Sequence, residues 1–128
     1  MTIDRRYYLR LVQEVIRQFA QEGNAVIVGR GGQAILRAHP RALHVCIRAP
    51  RQDRVERCQR AGVGTYRACE RMVDESDRRR SSYLRSFYGV DWLEPDLYDL
   101  ILNTGKLTVH DATQTIVACA RALEVQPS

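Results

Sequence analysis

Asn24-Ala25-Val26-Ile27-Val28-Gly29-Arg30-Gly31-Gly32-Gln33 is the stretch that decides the fold. Four apolar residues follow one another without a polar break, the pattern of a short strand buried on both faces. The run ends in a glycine-rich turn. Upstream, Tyr8, Leu11, Val12, Val15, Ile16 and Phe19 recur at helical spacing, which predicts a helix over 4–22 with Gly23-Asn24 as its stop signal. Downstream, a short helix is expected from Gln33 to Ala38, broken near Pro40. Leu43 to Ile47 reads as a second strand. Pro50 opens a helix to about Ala61, and Gly62-Val63-Gly64 is a turn. Thr65 caps a long helix. Leu97 to Leu102 is a third strand, ending in Asn103-Thr104-Gly105. Thr108 with Asp111 resembles a capping box and starts a last helix to about Glu124. Strands that alternate with helices, each a continuous apolar run, predict an α/β layered domain with a parallel sheet. Three strands make that sheet thin.

A length of 128 residues fits one domain, and 45% hydrophobic residues can supply a core. No apolar run approaches the roughly 20 residues of a membrane span. Met-Thr-Ile-Asp-Arg-Arg at the start lacks the apolar region of a signal peptide, so a cytoplasmic protein is expected. Disorder is expected only in a few residues at the C-terminal end. Cys46, Cys58, Cys69 and Cys119 are scattered, with no CxxC pair. Reduced, buried thiols are the expectation, not a zinc site or a disulfide framework. Net charge is +5, and Lys106 is the only lysine. Arginine suits two-pronged recognition of phosphate. A GC-rich genome produces the same overall excess with no site behind it. The clustering over 48–60 and 67–85 is harder to assign to composition alone.

The long helix from Thr65 toward Trp92 carries arginines on two faces and stops at Phe87-Tyr88-Gly89. At about 100° per residue, Tyr66, Cys69, Val73, Leu84 and Phe87 share one side. Arg67, Arg71, Arg78 and Arg85 share another, with Asp74 among them, as an ordinary solvated face. Asp77 and Arg80 project with the apolar set. An inward charge is costly unless it is paired or meets a charged ligand. This helix is therefore expected to face a polar, anion-lined cleft as well as a core.

In open α/β sheets ligands bind at the carboxyl ends of the strands. Gly29-Arg30-Gly31-Gly32, Arg48 and Asn103-Thr104-Gly105 occupy those places. The glycines let backbone N–H groups approach an anion, and Arg30 can fork onto a phosphate. The alternative is a tight turn that needs positive φ. No GxxxxGK[ST] loop and no GxGxxG fingerprint is present, and Gly62-Val63-Gly64-Thr65 follows a helix and lacks the lysine. His39, His44 and His110 are far apart and read as structural or solvated. No serine–histidine or cysteine–histidine arrangement stands out. Asp53-Arg54 and Glu56-Arg57 open the middle helix either as surface ion pairs or as an arginine lid over a nucleotide phosphate.

Taken together, five segments in the right order resemble the cytidylate kinase-like family of P-loop nucleoside monophosphate kinases. They are Asn24 to Gln33; Leu43-His-Val-Cys-Ile-Arg-Ala-Pro50 with Arg54-Val-Glu-Arg57; Glu75-Ser-Asp-Arg-Arg-Arg80; Tyr83-Leu-Arg-Ser-Phe-Tyr-Gly-Val-Asp-Trp92; and Leu97-Tyr-Asp-Leu-Ile-Leu-Asn-Thr104. The resemblance covers nearly the whole chain as one domain over 1–128, with lid-like helices at about 50–88. It implies transfer of the γ-phosphoryl group of ATP to CMP or dCMP with Mg²⁺, a reaction run mostly by positioning and charge stabilisation. It makes Arg54, Arg57 and Arg80 the expected catalytic residues. Gly29, Arg30, Gly31, Gly32, Asp77 and Arg85 are expected to bind the substrate, Arg30 holding the monophosphate. No metal ligand is assigned.

The family pattern is departed from twice. Its arginine–aspartate pair with a spaced aspartate and arginine is here Ser76-Asp77-Arg78-Arg79-Arg80, which leaves base specificity open. Family members also carry an N-terminal part with the P-loop, its strand and its helix, and the present sequence begins after the matching point. That strand would lie between 25–28 and 43–47, so open edges are expected, with self-association or a missing N-terminal segment to close them. The chain is thus expected to be the C-terminal part of such a kinase, inactive alone, with neither ATP nor Mg²⁺ bound tightly. The alternatives are a non-catalytic nucleotide- or anion-binding module and a self-associating module without a ligand. Nucleic-acid binding is a weaker option, since no reading helix or stacking aromatics on a basic sheet are apparent.

Overall fold

The computed structural model describes residues 4–126. Residues 1–3, part of the stretch read as lacking a leader, and 127–128, in the end expected to be disordered, lie outside the described residues. Five helices and two strands follow one another as α1 (Arg5–Glu22), α2 (Gly32–Ile35), β1 (Val45–Arg48), α3 (Arg51–Arg60), α4 (Tyr66–Tyr88), β2 (Leu100–Asn103) and α5 (Val109–Glu124). A short 3₁₀ turn, Pro95–Leu97, leads into β2.

Local chemistry sets the helix ends. Asp4 caps α1 by accepting from the Arg6 amide at 2.7 Å, and the chain leaves the helix through Gly23 at φ 77°. Thr65 Oγ1 accepts from the Ala68 amide at the start of α4, and Gly89 at φ 64° turns the chain out at its end, its amide reaching back to Arg85 and Leu84 carbonyls. Thr108 and Asp111 form the expected reciprocal capping box on α5.

β1 and β2 are parallel neighbours, in register Val45↔Leu100, Cys46↔Ile101, Ile47↔Leu102 and Arg48↔Asn103. The α3–α4 hairpin is the connection between them. Cys46 and Leu102 are buried on opposite faces of this ribbon, while their cross-strand partners Ile101 and Ile47 stay exposed. Each face is thus only half covered.

The sheet has two strands, not the expected three. Residues 25–28 form no strand and hydrogen-bond to neither β1 nor β2, and Val26 and Val28 are 92% and 87% exposed. The physical reason is that an apolar, β-branched run supplies only half of a strand. The other half is a neighbouring backbone that takes up its N–H and C=O groups, and β1 pairs with β2 instead. The second and third expected strands form but are shorter than predicted, and the short helix after Gly32 ends at Ile35.

The core is correspondingly small. Ile16, Cys46, Val55, Cys69, Leu84, Leu97, Leu102 and Ala112 are buried, and Val55 and Cys69 fully so. Along α1, Tyr7, Leu11, Val15 and Phe19 form an exposed stripe at i, i+4 spacing.

Gly29, Arg30 and Gly31 adopt successive positive φ of 73°, 60° and 75°. A Cβ at Gly31 would run into the ring of Tyr88, whereas one at Gly29 would meet nothing. Gly29→Ala should therefore cost only the left-handed strain, about 1 kcal/mol. Gly31→Ala should cost about 2–3 kcal/mol, because Tyr88 must also move. Urea midpoints of the two variants, compared with the unsubstituted chain, check this ordering.

Candidate functional site

α3 and α4 lie side by side, and two arginines from the first turn of α3 reach across to α4. Arg51 donates to both oxygens of Asp74 at 2.8 and 2.9 Å, with Glu70 further off at 3.4 Å. Arg54, one turn nearer the centre, donates to the two oxygens of Asp77 at 2.8 and 3.0 Å, and its Nε donates to the Ala49 carbonyl at 3.1 Å. Asp77 also lies 3.5 Å from Arg80, one turn along α4. The carboxylate is half-buried, so the two arginines answer the inward charge that the helical spacing exposed. Asp74 was placed by that spacing on a solvated stripe. It faces α3 instead, and the Arg51 hydrogen bonds hold its carboxyl below the ordinary 3.8. The same pairing pushes Arg51 up.

Arg80 then lies over the indole of Trp92, with its guanidinium carbon 5.0 Å from the ring centroid. Trp92 is held in turn by Tyr98, whose hydroxyl donates to the Trp92 carbonyl at 2.7 Å and accepts from Gln33 at 3.4 Å. A connected set therefore runs from α2 through the 92–98 loop to α4 and α3. Burial raises the Tyr98 phenol and the Cys46 thiol, and the charge of Arg80 acts the other way on both. Arg80 is thus electrically close to β1.

Arg57 does not join this set. It donates to the hydroxyl and the carbonyl of Thr104, and the Thr104 amide and hydroxyl both donate to the Arg48 carbonyl, at 2.7 and 3.1 Å. The expected catalytic Arg57 here ties α3 to the carboxyl ends of both strands. Arg85 lies apart as well, lining a shallow groove on α4 with Arg78, Ser81, Ser82 and Ser86.

Arg30 occupies the left-handed region between two glycines that adopt it freely. The tight-turn reading of Gly29 to Gly32 is therefore right about the backbone. It leaves unexplained why a non-glycine residue accepts the strain at its centre, a feature that concentrates at ligand-binding positions. The turn is covered by Tyr88, and Gly31 and Gly32 are buried. The buried hydroxyls of Tyr83 and Tyr88 make no hydrogen bond among the described residues. Burial pushes the Tyr83 phenol up to about 12, with the charge of Arg30 opposing it. Tyr83 is one turn beyond Arg80 on α4. Sequence reasoning did not single out these tyrosines, or Trp92 and Gln33, as site residues. The only signal was their place inside segments that carried the family resemblance.

Among the described residues, no group of three or more His, Cys, Asp or Glu side chains is arranged to hold a metal ion.

Residues 1–106 match the family described as "Cytidylate kinase-like family". A cytidylate kinase from Pyrococcus horikoshii is 36% identical over 89 residues, covering 68% of this chain and 44% of that protein. One from Thermococcus kodakarensis is 31% identical over 106 residues, covering 76% of this chain and 53% of that protein. The chain therefore spans about half the length of these curated relatives. The crystal structure of an uncharacterized protein from Eubacterium ventriosum superposes with a TM-score of 0.76 at 21% identity, over 91% of this chain and 64% of that one. It shares the fold.

The lowered carboxyl of Asp74 gives a pH dependence of known sign. A depressed folded-state pKa adds stability above the unfolded value, lost as pH falls through the folded one. The unsubstituted chain should thus melt higher than Asp74→Asn near neutrality. The two melting temperatures should converge as pH falls below 3.8, as thermal melts across that range will show.

Proposed function

The chain belongs to the cytidylate kinase-like family, and on that premise we propose that it forms the monophosphate-binding and lid part of a nucleotide phosphotransferase. Its ligand is CMP or dCMP. The observation that carries this reading is the meeting of Arg54 and Arg80, from two helices, on the single half-buried carboxylate of Asp77. Two cations on one anion leave a local surplus of positive charge, which an incoming phosphate can neutralise. Arg30 supplies a third cation, whose charge opposes the rise of the Tyr83 phenol. Arginines in this arrangement position a phosphate and spread its developing charge.

The sequence contains no GxxxxGK[ST] loop to cradle the phosphates of ATP. No phosphoryl-transfer step is therefore assigned to the chain by itself, and pure protein should not phosphorylate CMP from ATP above background. Robust product formation would refute that. In the complete site, the family's P-loop strand would lie between residues 25–28 and β1. Support for this comes from the unpaired apolar segment at 25–28 and the exposed Val26 and Val28.

Self-association is the second reading, and the same exposed valines with the Tyr7, Leu11, Val15 and Phe19 stripe favour it. A melting temperature that rises with protein concentration and ignores nucleotides would select this reading.

Arg30→Gly separates a ligand-binding arginine from a structural one. Glycine suits the φ of 60° at that position, so stability should hold or rise by up to about 1 kcal/mol. CMP affinity should fall roughly tenfold to a hundredfold, the loss of one charge-assisted contact. Calorimetric titration with CMP, beside a urea melt, measures both. An unchanged affinity would remove Arg30 from the site.

A further inference from the structure

α4 carries more arginine than its carboxylates can pair. Its acids are all engaged: Glu70 and Asp74 by Arg51, Glu75 by Arg79, and Asp77 by Arg54 and Arg80. Arg67, Arg71, Arg78 and Arg85 are left over. All are exposed, with no ion pair among the described residues. At about 100° per residue they fall within about 40° of arc, as one row along the helix. At a rise of about 1.5 Å per residue, the row runs for about 27 Å. Asp74 lies in the same arc, but both its oxygens accept from Arg51. Between Arg78 and Arg85 the small side chains of Ser81, Ser82 and Ser86 line a shallow groove. Their hydroxyls can donate to an anion lying between the two guanidinium groups.

We propose that this row binds the sugar–phosphate backbone of single-stranded nucleic acid without regard to sequence. Charge complementarity calls for a polyanion, and the make-up of the row narrows the choice. Guanidinium groups fork onto phosphate, and serine hydroxyls donate to the same oxygens. No apolar side chain lies within the arc of the row, so it lacks the buried face by which a helix settles into a lipid surface. No aromatic ring lies within it to stack on bases, so the contacts stop at the backbone. The row is straight. A flexible single strand can follow it from end to end, whereas the backbone of a duplex winds away from it. Asp77 and Arg80 project from other sides of α4, so the row is separate from the proposed monophosphate site and does not require it. Arg85, expected from the family resemblance to bind the monophosphate, belongs here to the row.

The test is the fluorescence anisotropy of a short fluorescein-labelled oligouridylate, titrated with the full chain between roughly 50 and 200 mM salt. Phosphate contacts from all four arginines predict a slope of log K against log salt of about −3, at about −0.7 for each contact with a single strand. Arg67→Gln, Arg71→Gln, Arg78→Gln and Arg85→Gln, made singly, should each flatten the slope by about 0.7 and weaken binding severalfold. The four combined should abolish binding at the higher salt. Glutamine forms helix about as well as arginine, and the positions are exposed, so urea midpoints should hold. If the combined variant fails to fold, the single ones carry the test. Arg10→Gln, Arg17→Gln, Arg37→Gln and Arg121→Gln together remove the same charge from exposed positions elsewhere and should leave the slope unchanged. No binding at the lower salt, equal losses in the two combined variants, or competition by polyglutamate as strong as by unlabelled oligouridylate would overturn the proposal.

Discussion

The Arg54–Asp77 pair is the joint on which the rest of the arrangement depends. It fastens α3 to α4, satisfies the half-buried Asp77 carboxylate of α4, and also lies beside Arg80. Removing one partner of such a half-buried pair leaves the other charged without its main compensation, which costs more than the pair contributes when intact. Arg51 and Asp74 repeat the motif one turn further out, where water screens it and its contribution is smaller. The two bridges together make the hairpin a rigid unit. Arg57 and Thr104 anchor that unit to the carboxyl ends of both strands.

How much was legible in the sequence follows from how local each feature is. Caps and helical spacing are local, so α1, α4 and α5 and their ends at Asp4, Thr65, Gly89 and Thr108 could be read directly. Asp77 was legible because it broke an apolar pattern, whereas Arg80, read as inward by the same spacing, is exposed and lies over Trp92 at the helix surface. Residues 25–28 misled because a strand is a relation between two backbones, and the sequence of one says nothing about the presence of the other. Asp74 misled because helical spacing gives a direction, not a neighbour. It placed Asp74 among solvated arginines without knowing that Arg51 stood opposite. Tyr83 and Tyr88 carried no warning at all. A tyrosine at helical spacing is ordinary, and only the packed structure leaves their hydroxyls without partners.

The small core and the large exposed apolar surface belong together. A two-stranded ribbon with each face half covered cannot hide Val26, Val28 and the α1 stripe. An apolar segment with unused backbone hydrogen-bonding groups invites a further strand. The same surface is what a sheet-completing element would bury, so the two readings of this protein differ in the occupant rather than in the need for one.

The order of the chain has a consequence for how the protein acquires its shape. β1 and β2 are neighbours in the sheet, yet the entire α3–α4 hairpin lies between them in sequence. In the unfolded chain these strands are the two ends of a long flexible loop, and bringing them together carries an entropic cost that grows with its length. The hairpin is held by contacts close in sequence, which form early. Once folded it replaces that loop with a helical connection already held together by its own contacts. The topology therefore predicts that the sheet forms after the pair of helices that contributes no strand to it.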